Sequence, residues 1–297
     1  MERYRNLVMD SSRFDGFAFR DGDIVISTPA KCGTTWTQTI LALLIFGTTD
    51  LPKPVDILSP WLEMTLRPLA SVRDDLEAQT HRRFIKSHTP FDGLPHDERV
   101  TYITVGRDPR DVALSWDNHM ANLNLPVFLE LRGKAVGNDD LPELMADFQP
   151  PAPELETRFW GWVESTDPDP IAGLPGMTHH LKTFWDTRDE PNVILLHYSE
   201  LQADLGGEME RLAKRLGLDV DVTPELVKAA TFEEMKRNAA AVGPNQSENI
   251  WLDRERFFHK GTSGQWRDVI KTDEDHARYE AAVSKCADAE FSAWLHK

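Results

Sequence analysis

Short apolar runs recur along the chain, each closed by small polar residues, Gly or Pro and followed by a longer mixed stretch. The first, Asp23-Ile24-Val25-Ile26-Ser27-Thr28, predicts a buried strand, because a continuous β-branched run is apolar on both faces. Thr35 to Phe46 is largely apolar and free of Gly and Pro, which predicts a buried helix after the loop Pro29-Ala30-Lys31-Cys32-Gly33. Arg83-Phe84-Ile85-Lys86, Val100-Thr101-Tyr102-Ile103-Thr104-Val105 and Val193-Ile194-Leu195-Leu196 predict three further strands. Asp108-Pro109 supplies an N-cap and a first-turn proline for a helix running towards Asn122, and another helix is expected from about Asp204 to Leu216. Strands alternating with helices predict an α/β fold with a central parallel sheet flanked by helices.

Residues 125–175, rich in Pro and Asp, read as an insertion with a helix near Glu154 to Glu164, of the kind that shapes an acceptor pocket. From Pro224 onward the pattern predicts helices, a long polar loop from Gly243 to Gly264 and a final helix from about Asp273 to Leu295. The length would allow two domains, but no linker divides the chain, so one domain over residues 1–297 is expected.

Composition narrows the chemistry. The 33 Lys and Arg against 49 Asp and Glu give a formal charge of −16, which excludes nucleic acid and anionic lipid as extended partners. A small anion remains possible where cations concentrate. Met1 to Asn6 leads into no long apolar stretch, and the most apolar run, Ile40 to Phe46, is far short of the ~20 residues that span a bilayer. With Cys32 and Cys286 as the two cysteines, no disulfide framework or C-x-x-C metal knuckle is possible, and a reduced cytoplasmic setting is expected.

Cations do concentrate, at three predicted strand ends. Lys31 sits in a Gly-containing loop that opens a helix, where unpaired N–H groups and the helix dipole favour an anion. It is not a Walker A loop, since the lysine precedes Gly33 by two residues, and taken alone it also has a lesser reading as an ordinary βα connection with a solvated lysine. Lys86-Ser87-His88-Thr89-Pro90 ends the second strand. It offers a cation and an imidazole suited to removing a proton near neutral pH, although a single histidine there is also a common core-edge residue. Arg107 follows the third strand with Ser115 two helical turns on; the pair suits a phosphate, while Asp108 or Asp111 could instead neutralise Arg107.

Together these residues resemble the cytosolic-type sulfotransferases. Thr28 to Trp36, T-P-A-K-C-G-T-T-W, is similar to that family's T-Y-P-K-S-G-T-T-W; Lys86 to Pro90 to its K-T-H-L-P; and Arg107 to Ser115 to its R-N-P-K-D-x-x-x-S. Tyr198-Ser199-Glu200-Leu201 stands for Y-E-D-L, Phe232-Glu233-Glu234-Met235 for the T-S-F-x-x-M region, and Phe257 to Trp266 for F-x-R-K-G-x-x-G-D-W. The resemblance implies the P-loop-related sulfotransferase fold. It also implies transfer of a sulfuryl group from 3′-phosphoadenosine 5′-phosphosulfate (PAPS) to a hydroxyl of a small or lipid-like acceptor, leaving 3′-phosphoadenosine 5′-phosphate (PAP), with no metal required.

By that resemblance Lys31, Cys32, Gly33, Thr34 and Thr35 would cradle the 5′-phosphosulfate. Trp36, Tyr198, Phe232 and Met235 would surround adenine with Thr231 on the same side, Phe258 would be a further cofactor-binding residue, and Arg107, Ser115, His259, Lys260 and Gly261 would lie at the 3′-phosphate. His88 would be the general base, with Lys31, Lys86 and Ser115 completing the catalytic group. Several positions depart from the family pattern. Pro29-Ala30 replaces Tyr-Pro, Cys32 replaces Ser, Ala230-Thr231 replaces Thr-Ser, and His259 replaces Arg. The family's dimer motif is not kept in Arg267 to His276, so a family-type dimer is not expected. Two other functions compete: a P-loop-type nucleotide kinase, and a non-catalytic PAP-binding module. The Lys placement and the absence of a Walker B strand ending in Asp argue against the first, and Lys86 with His88 against the second. Trp61, Trp116, His119, Phe159 and Trp160 are candidate acceptor-pocket residues, and His179-His180 reads as a surface pair.

Overall fold

The four expected strands pair in a single parallel sheet in the computed structural model, which describes the chain apart from residues 147, 168, 170, 172, 245–247, 254, 259 and 260. They are β1 (Ile24–Ser27), β2 (Phe84–Ser87), β3 (Thr101–Gly106) and β4 (Val193–His197), in the order β2-β1-β3-β4. Ile24 is in register with both Phe84 and Thr101, and Tyr102 with Val193. The connections leaving β1 and β3 therefore diverge, β1 towards β2 on one side and β3 towards β4 on the other. That divergence opens a crevice at their carboxyl ends, where ligands of open α/β sheets bind.

The strands are apolar on both faces because helices cover both. Ile24, Ile26, Ile103, Val105, Ile194 and Leu196 pack on one face with Ile40, Leu41 and Leu44 of the helix Thr34–Phe46 and with Met209 and Leu212. The alternate positions Val25, Ile85, Tyr102 and Val193 pack on the other with Phe14, Leu76, Phe91 and Phe184. At the amino end of the sheet Arg83 clamps Asp23 through two hydrogen bonds, one of them Nε to Oδ1 at 2.9 Å, and the pair is 3% and 2% exposed. Removing one partner of such a buried pair costs about 3–5 kcal/mol.

The carboxyl end of β3 is braced by the end of the chain. A Cβ on Gly106 would lie 2.4 Å from Cη2 of Trp294, so only glycine lets that indole seat against the strand. Trp294 belongs to the helix Ala289–Leu295, which is separate from the helix Asp273–Val283. The single final helix expected from the pattern is thus two: Asp288 accepts the Phe291 N–H at 2.9 Å and caps a fresh start. The turn brings Phe291 and Leu295 into the core cluster.

Residues 125–175 hold the helices Leu125–Val136, Leu141–Leu144 and Leu155–Val163. Phe159 and Trp160, candidates for an acceptor pocket, are 1% and 5% exposed among Leu174, Met177 and Leu181, and belong to the core. The expected surface pair His179-His180 is also corrected: His180 is fully buried and stacked on Phe184, while His179 contacts the Tyr4 hydroxyl at 2.8 Å. Among the described residues no helix is long and apolar enough to cross a membrane.

Candidate active site

The loop leaving β1 turns sharply. Lys31 (φ +68°) and Gly33 (φ +108°) both lie in the left-handed region, which glycine tolerates and lysine rarely adopts. A Cβ on Gly33 would come 3.3 Å from the Tyr198 ring. The helix Thr34–Phe46 then begins with no side-chain cap, so its first N–H groups face the crevice as anion donors. Across the loop, the hydroxyls of Thr28 and Thr34 are 2.5 Å apart.

Three cations converge on this helix start. Arg107, first after β3, donates to the Lys31 carbonyl at 2.8 Å, and its Nε is buried without a partner. Each cation rests on an aromatic face instead of a carboxylate: Arg107 on Tyr198 at 4.2 Å, Lys86 on Trp61 at 4.3 Å and Lys31 on Phe257 at 4.8 Å. None of the three forms an ion pair with another described residue. Burial, followed by the charges of Arg107 and Lys86, pulls the Lys31 ammonium down to about 7; burial pulls Lys86 down to about 8. An anion placed among them would relieve both.

His88 lies just past β2 with its Nδ1 2.6 Å from the Thr28 carbonyl oxygen. A carbonyl only accepts, so Nδ1 carries the proton and Nε2 keeps the lone pair. Burial and the nearby Lys86 hold the ring well below the ordinary histidine range, and it is neutral at pH 7. The loop that carries it is fixed by Glu63, which was not singled out in the sequence. One Glu63 oxygen accepts from the Ser87 hydroxyl (2.6 Å), the His88 N–H (2.7 Å) and the Thr89 hydroxyl (3.3 Å), and the residue is fully buried. The available signal was a lone acid inside the apolar run Pro60-Trp61-Leu62-Glu63-Met64.

The aromatic group gathers beside the first loop. Trp36 donates its indole N–H to the Ala230 carbonyl at 2.8 Å and meets Tyr198 edge-on at 5.1 Å. Phe232, Met235 and Phe258 pack in the same cluster. Thr231 caps the helix Phe232–Arg237, and its hydroxyl donates to the Lys228 carbonyl at 2.8 Å. Gly261 (φ +66°) lies so close to Phe232 that a Cβ would be 2.4 Å from the ring. Asp111, offered by the sequence as a possible partner for Arg107, instead accepts the N–H groups of Gly264 (2.8 Å) and Gln265 (3.1 Å), and so ties the polar loop to the helix Pro109–Met120. His259 and Lys260 lie outside the described residues. Thr35 is in the first turn of its helix and Ser115 is partly exposed on the helix that follows Arg107. Cys32 is fully buried and its thiol is pushed up to about 12, which removes it as a nucleophile at neutral pH. Of the pocket candidates, Trp61 meets the His88 ring at 4.7 Å and His119 approaches Lys31, with Trp116 beside it at 5.7 Å.

A sulfotransferase domain model matches residues 21–285. The chain belongs to the sulfotransferase family. It is 41% identical to glycolipid sulfotransferases of Mycobacterium bovis and Mycobacterium tuberculosis, over 99% of this chain and 94% of each relative. It is 24% identical to sulfotransferase 1E1 of Bos taurus, over 89% of this chain and 83% of that protein. Its fold matches retinol dehydratase crystallised with androsterone and the inactive cofactor PAP, with TM-score 0.71 and 21% identity, over 95% of this chain and 87% of the other. Mouse sulfotransferase SULT7A1 complexed with PAP gives TM-score 0.69 and 21% identity, over 98% and 91%. In this sulfotransferase the matched span holds all four strands and every candidate site residue.

Proposed function

We propose that the crevice takes PAPS as donor and passes its sulfuryl group to a hydroxyl of a glycolipid-like acceptor. The observation that carries this reading is the cluster of Lys31, Lys86 and Arg107, set around an uncapped helix start and resting on aromatic rings, with none of the three in an ion pair among the described residues. The residues fit a doubly phosphorylated nucleotide: the buried Arg107 Nε lacks a partner, and Gly33 holds a left-handed turn (φ +108°) that brings backbone N–H groups to the crevice. The bound donor supplies an electrophilic sulfur and an anionic leaving group.

His88 accepts the acceptor's hydroxyl proton at Nε2, the one nitrogen its Thr28 contact leaves available. Lys31 and the first-turn N–H groups of Gly33, Thr34 and Thr35 hold the charge that grows on the departing phosphate, and Lys86 faces the sulfonate oxygens. Arg107, Ser115, Lys260 and Gly261 hold the 3′-phosphate, which separates this donor from ATP. Trp36, Tyr198, Phe232 and Met235 flank adenine. The glycolipid class is supported by the relatives' activity, and a cytoplasmic setting by two unpaired cysteines, one of them fully buried.

Transfer from labelled PAPS across phenols, sterols, sugars and glycolipids tests the reading, and label on a glycolipid is the expected result. PAP should raise the Tm well above what ATP does, with or without EDTA. Stabilisation by Mg-ATP alone would favour the kinase instead.

A further inference from the structure

The helix that follows Arg107 brings a second imidazole to the sulfuryl end of the crevice. His119 lies one turn beyond Ser115 on the helix Pro109–Met120, and its Nδ1 is 3.5 Å from the Lys31 Nζ. Whenever Lys31 is charged its ammonium only donates, so Nδ1 then holds its lone pair and the ring is the neutral Nε2–H tautomer. The imidazole is fixed among rings: Trp251 at 4.8 Å, Trp116 at 5.7 Å and Phe257 at 6.1 Å. Phe257 also lies under Lys31, so one aromatic surface orients both partners. Apart from the Phe257 face, the other titratable neighbours of Lys31 repel it or give it no acceptor. Arg107 comes from the end of β3, Lys86 from the end of β2, His88 from the loop after it, and the un-ionised Cys32 thiol from its own loop.

We infer that His119 is a positioning residue for Lys31, holding its ammonium by one hydrogen bond at the point where the leaving group departs. The inference rests on the donor reading above. The interaction favours the charged lysine in a place where burial and two neighbouring cations disfavour it. His119 therefore extends to higher pH the range in which Lys31 is ready to meet an anion. A merely packed histidine would contribute stability and leave that range alone.

The test uses full-length His119→Phe, which keeps the ring packing and removes the acceptor atom, and His119→Asn, whose amide oxygen can stand near the Nδ1 position. Wild type and variants are compared by Tm, by PAP affinity from pH 6 to 9.5, and by kcat and acceptor KM. His119→Phe should lower kcat at pH 7.5 about tenfold, the size of one hydrogen bond to a charged group. The alkaline fall in PAP affinity should move about one pH unit lower, with acceptor KM little changed. His119→Asn should restore the pH limb. If His119→Phe does not fold, His119→Leu serves as the apolar variant. PAP binding by wild type with an unmoved limb in the apolar variant, or an Asn variant that behaves like the apolar one, overturns the inference alone. Absence of PAP binding by wild type overturns the donor reading and this inference with it.

Discussion

The two ends of the β-sheet handle buried cations in opposite ways. At the amino end Arg83 faces Asp23, and the charge is cancelled within the protein. At the carboxyl end Lys31, Lys86 and Arg107 are set against Phe257, Trp61 and Tyr198, whose faces soften the charge without cancelling it. Desolvation penalises buried charge, and without an ion pair the carboxyl end keeps a cost that a bound anion would offset. The comparison separates a charge that holds the fold together from charges that wait for a ligand.

The largest expected effect is at the carboxyl end. His88→Ala should cut sulfuryl transfer by roughly 10²–10⁴ while PAP still raises the Tm, and a variant with wild-type turnover would remove His88 from the mechanism. At the other end, Asp23→Ala should lower unfolding free energy by about 3–5 kcal/mol in denaturant titrations, with PAP affinity of the folded protein little changed. Lys86→Ala follows with a loss of about 10²–10³ in kcat, the scale of removing one preorganised donor to developing charge. A stability loss as large as that of Asp23→Ala would instead class Lys86 with the structural pair.

The smallest effect is in pH. Without donor, Lys31 and Lys86 titrate near 7 and 8, and a bound phosphate group raises both. PAP binding between pH 7 and 9 should therefore take up protons, which calorimetry in buffers of different ionisation enthalpy measures directly. Affinity should weaken as pH rises, by about tenfold per unit for each proton taken up. The folded-state values lie below those of free lysine, so the unfolded chain binds more protons and the PAP-free protein should gain stability as pH rises from 7 to 9. Opposite slopes for affinity and stability are the signature of the unpaired end.

The sequence made the sheet and its cation-bearing edge legible because the strands are short continuous apolar runs and each cation follows one directly. The observed strands begin and end within a residue or so of the apolar runs that predicted them. What it hid was lateral. Glu63 reaches the His88 loop from a segment with no chemical motif, and Asp111 lies far along the chain from the N–H groups it holds. Phe159 and Trp160 are as apolar in the core as at a pocket wall, so composition could not place them. The break near Asp288 carries no Gly or Pro; tertiary packing of Phe291 and Leu295 decides it.

The indole wedged at Gly106 makes the extreme carboxyl terminus a stop for the strand that presents Arg107. The family match closes at residue 285, yet Trp294 lies beyond it. Trimming the chain to the matched span would keep every motif residue and remove the indole packed on Gly106, leaving a void beside the end of β3. The packing directly beneath Arg107 thus draws on a side chain that lies outside the span the family shares.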